Sequence, residues 1–116
     1  MKLKDKARLA RTPGHIVGVR EGTFVWFYNE SLFAWQQWVK RYPSLPTLRV
    51  SACKVKALNN AWMFTGVVPF KTLENAGLEF DKKGRVFIKF EADWRHWEDW
   101  KHKSKPKRAS TVKISD

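Results

Sequence analysis

The chemistry written most plainly in this chain is an alternation of cations and a ring. In the run Lys83-Gly84-Arg85-Val86-Phe87-Ile88-Lys89-Phe90, an extended strand puts Arg85, Phe87 and Lys89 on one face and Val86, Ile88 and Phe90 on the other. The second set suits a core. The first sets an aromatic between two cations, as single-stranded nucleic acid requires: cations track phosphates, and rings stack on unpaired bases. Arg49, and Lys54 and Lys56 beyond it, extend this face if a strand over residues 48–58 changes phase at a bulge near Ala52-Cys53. Trp62, just after the turn signal Asn59-Asn60, is a further stacking candidate at a sheet edge. Against this stands a simpler reading, in which Phe87 and Phe27 are core residues of a sheet covered on both sides.

Other chemistry is sparse. His15, His96 and His102 are scattered, and the last two lie six apart, on different faces of a helix. Asp81, Glu91 and Asp93 would suit a magnesium-dependent nuclease only if they gathered; turn, surface and helix cap are their ordinary roles. Cys53 is the only cysteine, which excludes an intrachain disulfide and a thiolate zinc site within one chain. Gly14 and Gly18 lack the rest of a dinucleotide fingerprint, and there is no phosphate-binding loop. The sequence therefore names no catalytic residue, metal or cofactor.

The elements that must hold Arg85, Phe87 and Lys89 are announced by an echo. Residues 20–28, leading to Ser31, Trp35 and Trp38, resemble residues 82–90, leading to Asp93, Trp97 and Trp100, at an offset of 62. Gly22 falls on Gly84, Trp35 on Trp97, Trp38 on Trp100, and the capping residue Ser31 on Asp93. Each copy predicts a tight turn, an apolar strand, a cap and a Trp-bearing helix. Because the offset is even, Thr23, Val25 and Phe27 are expected to face outward as Arg85, Phe87 and Lys89 do. The first half supplies strands at 15–19 and 23–28 and a helix closed by Pro43 and Pro46. The second supplies strands at 48–58, 61–68, 78–81 and 85–91, one helical turn at 71–76 stopped by Gly77, and a last helix capped by Asp93. The fold class expected is α+β: an antiparallel sheet of about six strands with two Trp-bearing helices on one face. Half-repeats of about 15–43 and 47–103 make one domain, 13–103. A basic arm, 1–12, precedes it and a basic, disordered tail, 104–116, follows.

Charge follows the same division. The net charge is +12, and it is concentrated at the ends. Residues 1–11 hold five basic side chains and one acidic, and residues 101–116 hold six and one. Lys2, Lys4, Lys6, Arg8 and Arg11 at one end, and Lys103, Lys105, Lys107 and Arg108 at the other, are expected to clamp phosphates non-specifically by counterion release. No apolar run is long enough to span a membrane, and no secretory signal is visible, so a cytoplasmic, nucleoid or nuclear setting is expected.

Two resemblances bear on function. The run 83–90 resembles the RNP1 signature of the RNA-recognition motif in its opening Lys83-Gly84, its central Phe87 and its final Phe90. It departs at Arg85 and Val86, and no further strand follows it. The element order of 15–103, four strands and a helix beside a partial copy, resembles the Whirly and Pur-alpha type of single-stranded nucleic-acid binders. That resemblance implies that the sheet face binds and that halves or subunits pair. The function expected is thus non-enzymatic binding of single-stranded DNA or RNA. A regulator that binds a partner protein, such as a polymerase or nuclease, is the first rival; a small ribonuclease or toxin is the second.

Overall fold

The computed structural model describes residues 1–106. Its centre is a five-stranded antiparallel sheet in the order β3-β4-β2-β1-β5, built from β1 His15–Glu21, β2 Phe24–Tyr28, β3 Ser51–Val55, β4 Ala61–Pro69 and β5 Arg85–Lys89. Four helices accompany it: α1 Leu3–Leu9, α2 Asn29–Trp38, α3 Phe70–Asn75 and α4 Trp97–Ser104. The chain is α+β, as the periodicities require. The sheet has one strand fewer than the six signals suggested.

The missing strand is 78–81. Gly77, at φ +86°, ends α3. The segment after it runs past β5 with the Asp81 N–H donating to the Arg85 carbonyl at 2.9 Å. β5 takes its ladder from β1 instead, in the register Gly18 to Val86 and Ile16 to Ile88. The Gly84 turn therefore delivers the chain to β1, whereas the Gly22 turn, at φ +64°, closes the hairpin β1–β2.

The two faces of the sheet follow from the registers. Ile16, Gly18, Val25, Phe27, Phe64, Gly66, Val68, Val86 and Ile88 share one face. α2 lies on it, with Leu32 and Trp35 fully buried and the Phe27 and Trp35 rings 4.6 Å apart. α4 covers the same face more loosely. It buries no residue completely, and Trp100 packs 5.5 Å from Phe64 and 5.4 Å from Phe33. Both Trp-bearing helices are thus on one face. Burying rings of this size supplies about 2–3 kcal/mol each, which suits a small core.

Three local expectations change. First, Val25 and Phe27 do not face outward; both are fully buried among the core residues. β2 is apolar on both faces, and its phase is set by pairing Phe27 with Gly18, so Trp26 and Tyr28 take the opposite side. Second, β3 pairs one-to-one with β4 from Ser51–Thr65 to Val55–Ala61, with no bulge. Leu48 precedes the strand and is held by Gln36, whose Nε2 donates to the Leu48 carbonyl at 2.6 Å while its Oε1 accepts the Leu48 N–H at 2.9 Å. Third, neither expected cap caps. Ser31 is inside α2 and fully buried; its hydroxyl accepts the Val17 N–H at 2.9 Å and donates to the Ala10 carbonyl at 3.0 Å. Asp93 lies four residues before α4 begins and binds Arg95 instead.

Candidate nucleic-acid interface

β5 carries the expected alternation. Val86 and Ile88 are buried, while Phe87 between them remains 43% exposed. The Arg85 guanidinium lies 5.5 Å from the Phe87 ring centre, and the His15 ring meets Phe87 edge-on at 6.3 Å. Lys89 is exposed and stands opposite His15 in the ladder. Arg85 is held from below by Asp81: its backbone N–H donates to Oδ1 at 2.8 Å and its Nε to Oδ2 at 2.8 Å. Those bonds, the backbone one first, hold the Asp81 carboxyl below its ordinary range. The turn 81–84 thus fixes the root of Arg85 and leaves the outer part of its guanidinium to solvent.

The remaining sequence candidates do not join this group. β3 and β5 are the two edges of the sheet, about 19 Å apart at a strand spacing of about 4.8 Å. Lys54 pairs with Trp62 on the helix-covered face, not on the Phe87 face, because β3 has no bulge to switch it. Lys56 sits in a 3-10 turn, and Arg49 lies in the coil before β3; both are exposed. Around half-buried Trp62 a second group forms, with Lys54 Nζ 5.6 Å and Lys105 Nζ 5.7 Å from its ring.

The N-terminal segment read as an arm contains a helix. Ala7 and Ala10 are buried beside Tyr28 and Met63, with Trp26, Val55 and Leu58 packed around them. α1 therefore lies on the Phe87 side of the sheet. Lys6 is committed to an ion pair with Glu21 and sits 5.8 Å over the Tyr28 ring. Burial opposes its charge, but the Glu21 hydrogen bond and the nearby Tyr28 and Glu21 charges more than offset it and raise its pKa. Lys6 is thus a structural cation. Lys2, Lys4, Arg8 and Arg11 remain exposed, Arg8 within 3.8 Å of Asp5. At the other end, Lys103 pairs with Asp99 at 3.1 Å. Lys107, Arg108 and most of the expected tail lie outside the described residues.

The acidic residues considered for a nuclease are engaged separately: Asp81 with Arg85, Asp93 with Arg95, and Glu91 with the Trp94 indole N–H. Among the described residues no group of three or more His, Cys, Asp or Glu side chains could hold a metal ion, and no helix is long and apolar enough to cross a membrane. Sequence alone does not group His15, Glu30, Glu91 and Trp94, which together with Arg11 line one cleft beside His15. Their only shared signal is chemical type, since they lie as far apart as residues 11 and 94. Comparison with protein-family models, with curated proteins and with solved structures finds no match to this chain.

Proposed function

We propose that this protein is a non-enzymatic binder of single-stranded DNA or RNA. It takes the strand along the β5 flank of the sheet, where Phe87 stacks on an unpaired base and Arg85 and Lys89 meet the flanking phosphates. The exposed cations of α1, on the same side of the sheet, add sequence-independent attraction. The observation that carries this reading is Phe87, a ring left in solvent between two buried aliphatics and two cations. Trp62, with Lys54 and Lys105, is a second stacking position, on β4 inside the β3 edge and on the opposite, helix-covered face of the sheet. A duplex keeps its base faces stacked inside, so an exposed ring on a strand selects single strands.

The test is a titration of a labelled single strand of mixed sequence at about 50 mM salt, repeated at rising salt. Binding that weakens steeply with salt and weakens again in Phe87→Ala supports the reading. Absence of binding overturns it. Binding that survives Phe87→Ala but disappears when the basic ends are removed reduces it to an effect of the ends.

One observation favours a protein partner as the second reading. Phe24 and Val67, on neighbouring strands of the Phe87 face, are 45% and 40% exposed. Apolar side chains of this size in solvent suit the centre of a protein interface, and a second copy of this chain is one such partner.

A further inference from the structure

The cleft lined by Arg11, His15, Glu30, Glu91 and Trp94 has a volume of about 270 Å³. It lies where the loop before β1, the first turn of α2 and the coil after β5 meet. Its walls are tied together: the Phe90 N–H donates to the Gly14 carbonyl at 3.0 Å. The coil is also tied to α2, since Asp93 N–H donates to Gln37 Oε1 at 2.8 Å and Gln37 Nε2 donates to the Asp93 carbonyl at 2.9 Å.

Trp94 is fixed within this frame yet open. Its ring packs 5.3 Å from Phe33, its indole N–H donates to Glu91 Oε2 at 3.1 Å, and the side chain remains 40% exposed. Glu30 is half-buried and has no hydrogen-bond or ion-pair partner among the described residues. Arg11 is exposed at the same cleft. His15 touches both this cleft and the Phe87 ring, so the cleft continues the β5 flank.

We infer that this cleft receives one unpaired guanine of the bound strand. The inference rests on the nucleic-acid reading above and deepens it. Guanine is the one common base whose Watson–Crick edge carries two adjacent donors, N1–H and the N2 amino group. A carboxylate accepts two parallel hydrogen bonds, so the pair is matched in number and direction. The Glu30 carboxylate supplies that acceptor, because Glu91 is already engaged by the indole. Trp94 stacks on the base, and Arg11 meets the phosphate that the base brings with it. Cytosine and adenine offer one amino group beside an acceptor, and uracil or thymine one N–H between acceptors. Each leaves a carboxylate oxygen facing a like partner. A free cation would satisfy the carboxylates and the ring but would meet Arg11 with like charge; a nucleotide satisfies both signs.

The test uses the full chain and a 12-nucleotide thymine strand carrying a single central guanine, adenine or inosine. Inosine lacks only the N2 amino group, so it removes one of the two bonds without touching the protein. Expected is tenfold or more weaker binding for inosine and adenine than for guanine, with Glu30→Gln abolishing the preference while binding of the all-thymine strand is kept. Thermal melts of Glu30→Gln check that the variant is folded. Equal affinity for guanine, adenine and inosine overturns the cleft assignment and leaves the β5 reading standing. If no strand binds, the β5 reading falls. The assignment of the cleft to a base of that strand falls with it. Guanosine monophosphate, followed through Trp fluorescence, serves where a strand does bind: quenching that Trp94→Phe removes sustains the assignment, and no quenching overturns it. Quenching of Trp94 by a trimethyl-lysine peptide but not by guanosine monophosphate also overturns it, in favour of a cationic partner.

Discussion

Gly18 lies directly beneath the ring of Phe27. A Cβ built on Gly18 would stand 2.7 Å from two of the ring carbons and 2.9 Å from Val25 Cγ1. The close approach of β1 and β2 side chains at this point lets Phe27 fill the centre of the core against Trp35. Gly18 has no unusual backbone angle among the described residues, so space, not conformation, demands glycine here. Gly18→Ala is expected to destabilise the protein by about 1–3 kcal/mol through overpacking. Urea unfolding followed by Trp fluorescence measures it, and Gly22→Ala is the companion variant. Gly22 has nothing within 4 Å but a φ of +64°, so its cost comes from backbone strain alone.

Phe87→Ala separates binding from folding. The ring is exposed, so unfolding free energy should change by no more than about 0.5 kcal/mol. Single-strand affinity should fall by about 1–3 kcal/mol, the range for removing one base–aromatic stack. Anisotropy titration and a denaturant melt on the same preparation give both numbers.

Ser31→Ala should behave in the opposite way. The hydroxyl serves two buried backbone groups, the Val17 N–H and the Ala10 carbonyl, and the substitution leaves both without a partner. A destabilisation of about 1–3 kcal/mol is expected. Because Ala10 follows α1, the same variant should speed proteolytic cleavage near Arg11 and Lys6, read by mass spectrometry of the fragments.

The turn that supports Arg85 should be acid-sensitive. Asp81 has a pKa lowered from its ordinary value of 3.8, chiefly by the Arg85 backbone N–H and further by its guanidinium. A lowered folded-state pKa means that its contribution is complete above 3.8 and is lost as the pH falls through the folded value. Asp81→Asn should therefore be less stable than the parent near neutral pH, and the two stability curves should converge in strong acid. Urea midpoints across that range test the convergence.

The exposed cations of α1 should govern salt dependence more than specificity. Replacing Lys2, Lys4 and Arg8 by Gln is expected to flatten the slope of log affinity against log salt by about 0.7 for each phosphate no longer neutralised. Base preference should stay unchanged. Lys6→Gln, by contrast, should lower stability, since Lys6 is bound to Glu21.

Much of this frame was legible where a residue's choice was local. The Gly22 and Asn59-Asn60 turns, the stop at Gly77 and the in–out alternation of β5 depend on backbone angles and on one polar face, and all appear as the residue types require. What depended on tertiary packing was not legible. β2 carries apolar side chains on both faces, so nothing local could say that Phe27 faces the core. α1 has a weak stripe, Leu3, Ala7 and Ala10, hidden among cations, and it is seated by Tyr28, Met63 and the Glu21 ion pair. Ser31 reads as a cap by type but is a buried tie by position. The cleft beside His15 could not be read at all, because its residues run from Arg11 to Trp94 and are brought together by the β1–β5 pairing and the tie of Gln37 to Asp93.

That pairing also sets an order of events. The sheet's third and fourth neighbours, β2 and β1, form a hairpin within 14 residues, from His15 to Tyr28. β1 then waits for β5, which begins at Arg85, before its outer edge is covered. A growing chain must therefore carry an open β1 edge until Arg85–Lys89 has been made, with Ile16 and Val17 beside unpaired backbone groups. Closure by β5 is a late, long-range step, and it is also the step that sets Phe87 beside His15. A chain stopped short of β5 keeps a sticky edge and lacks the Phe87 ring, so incomplete copies would aggregate.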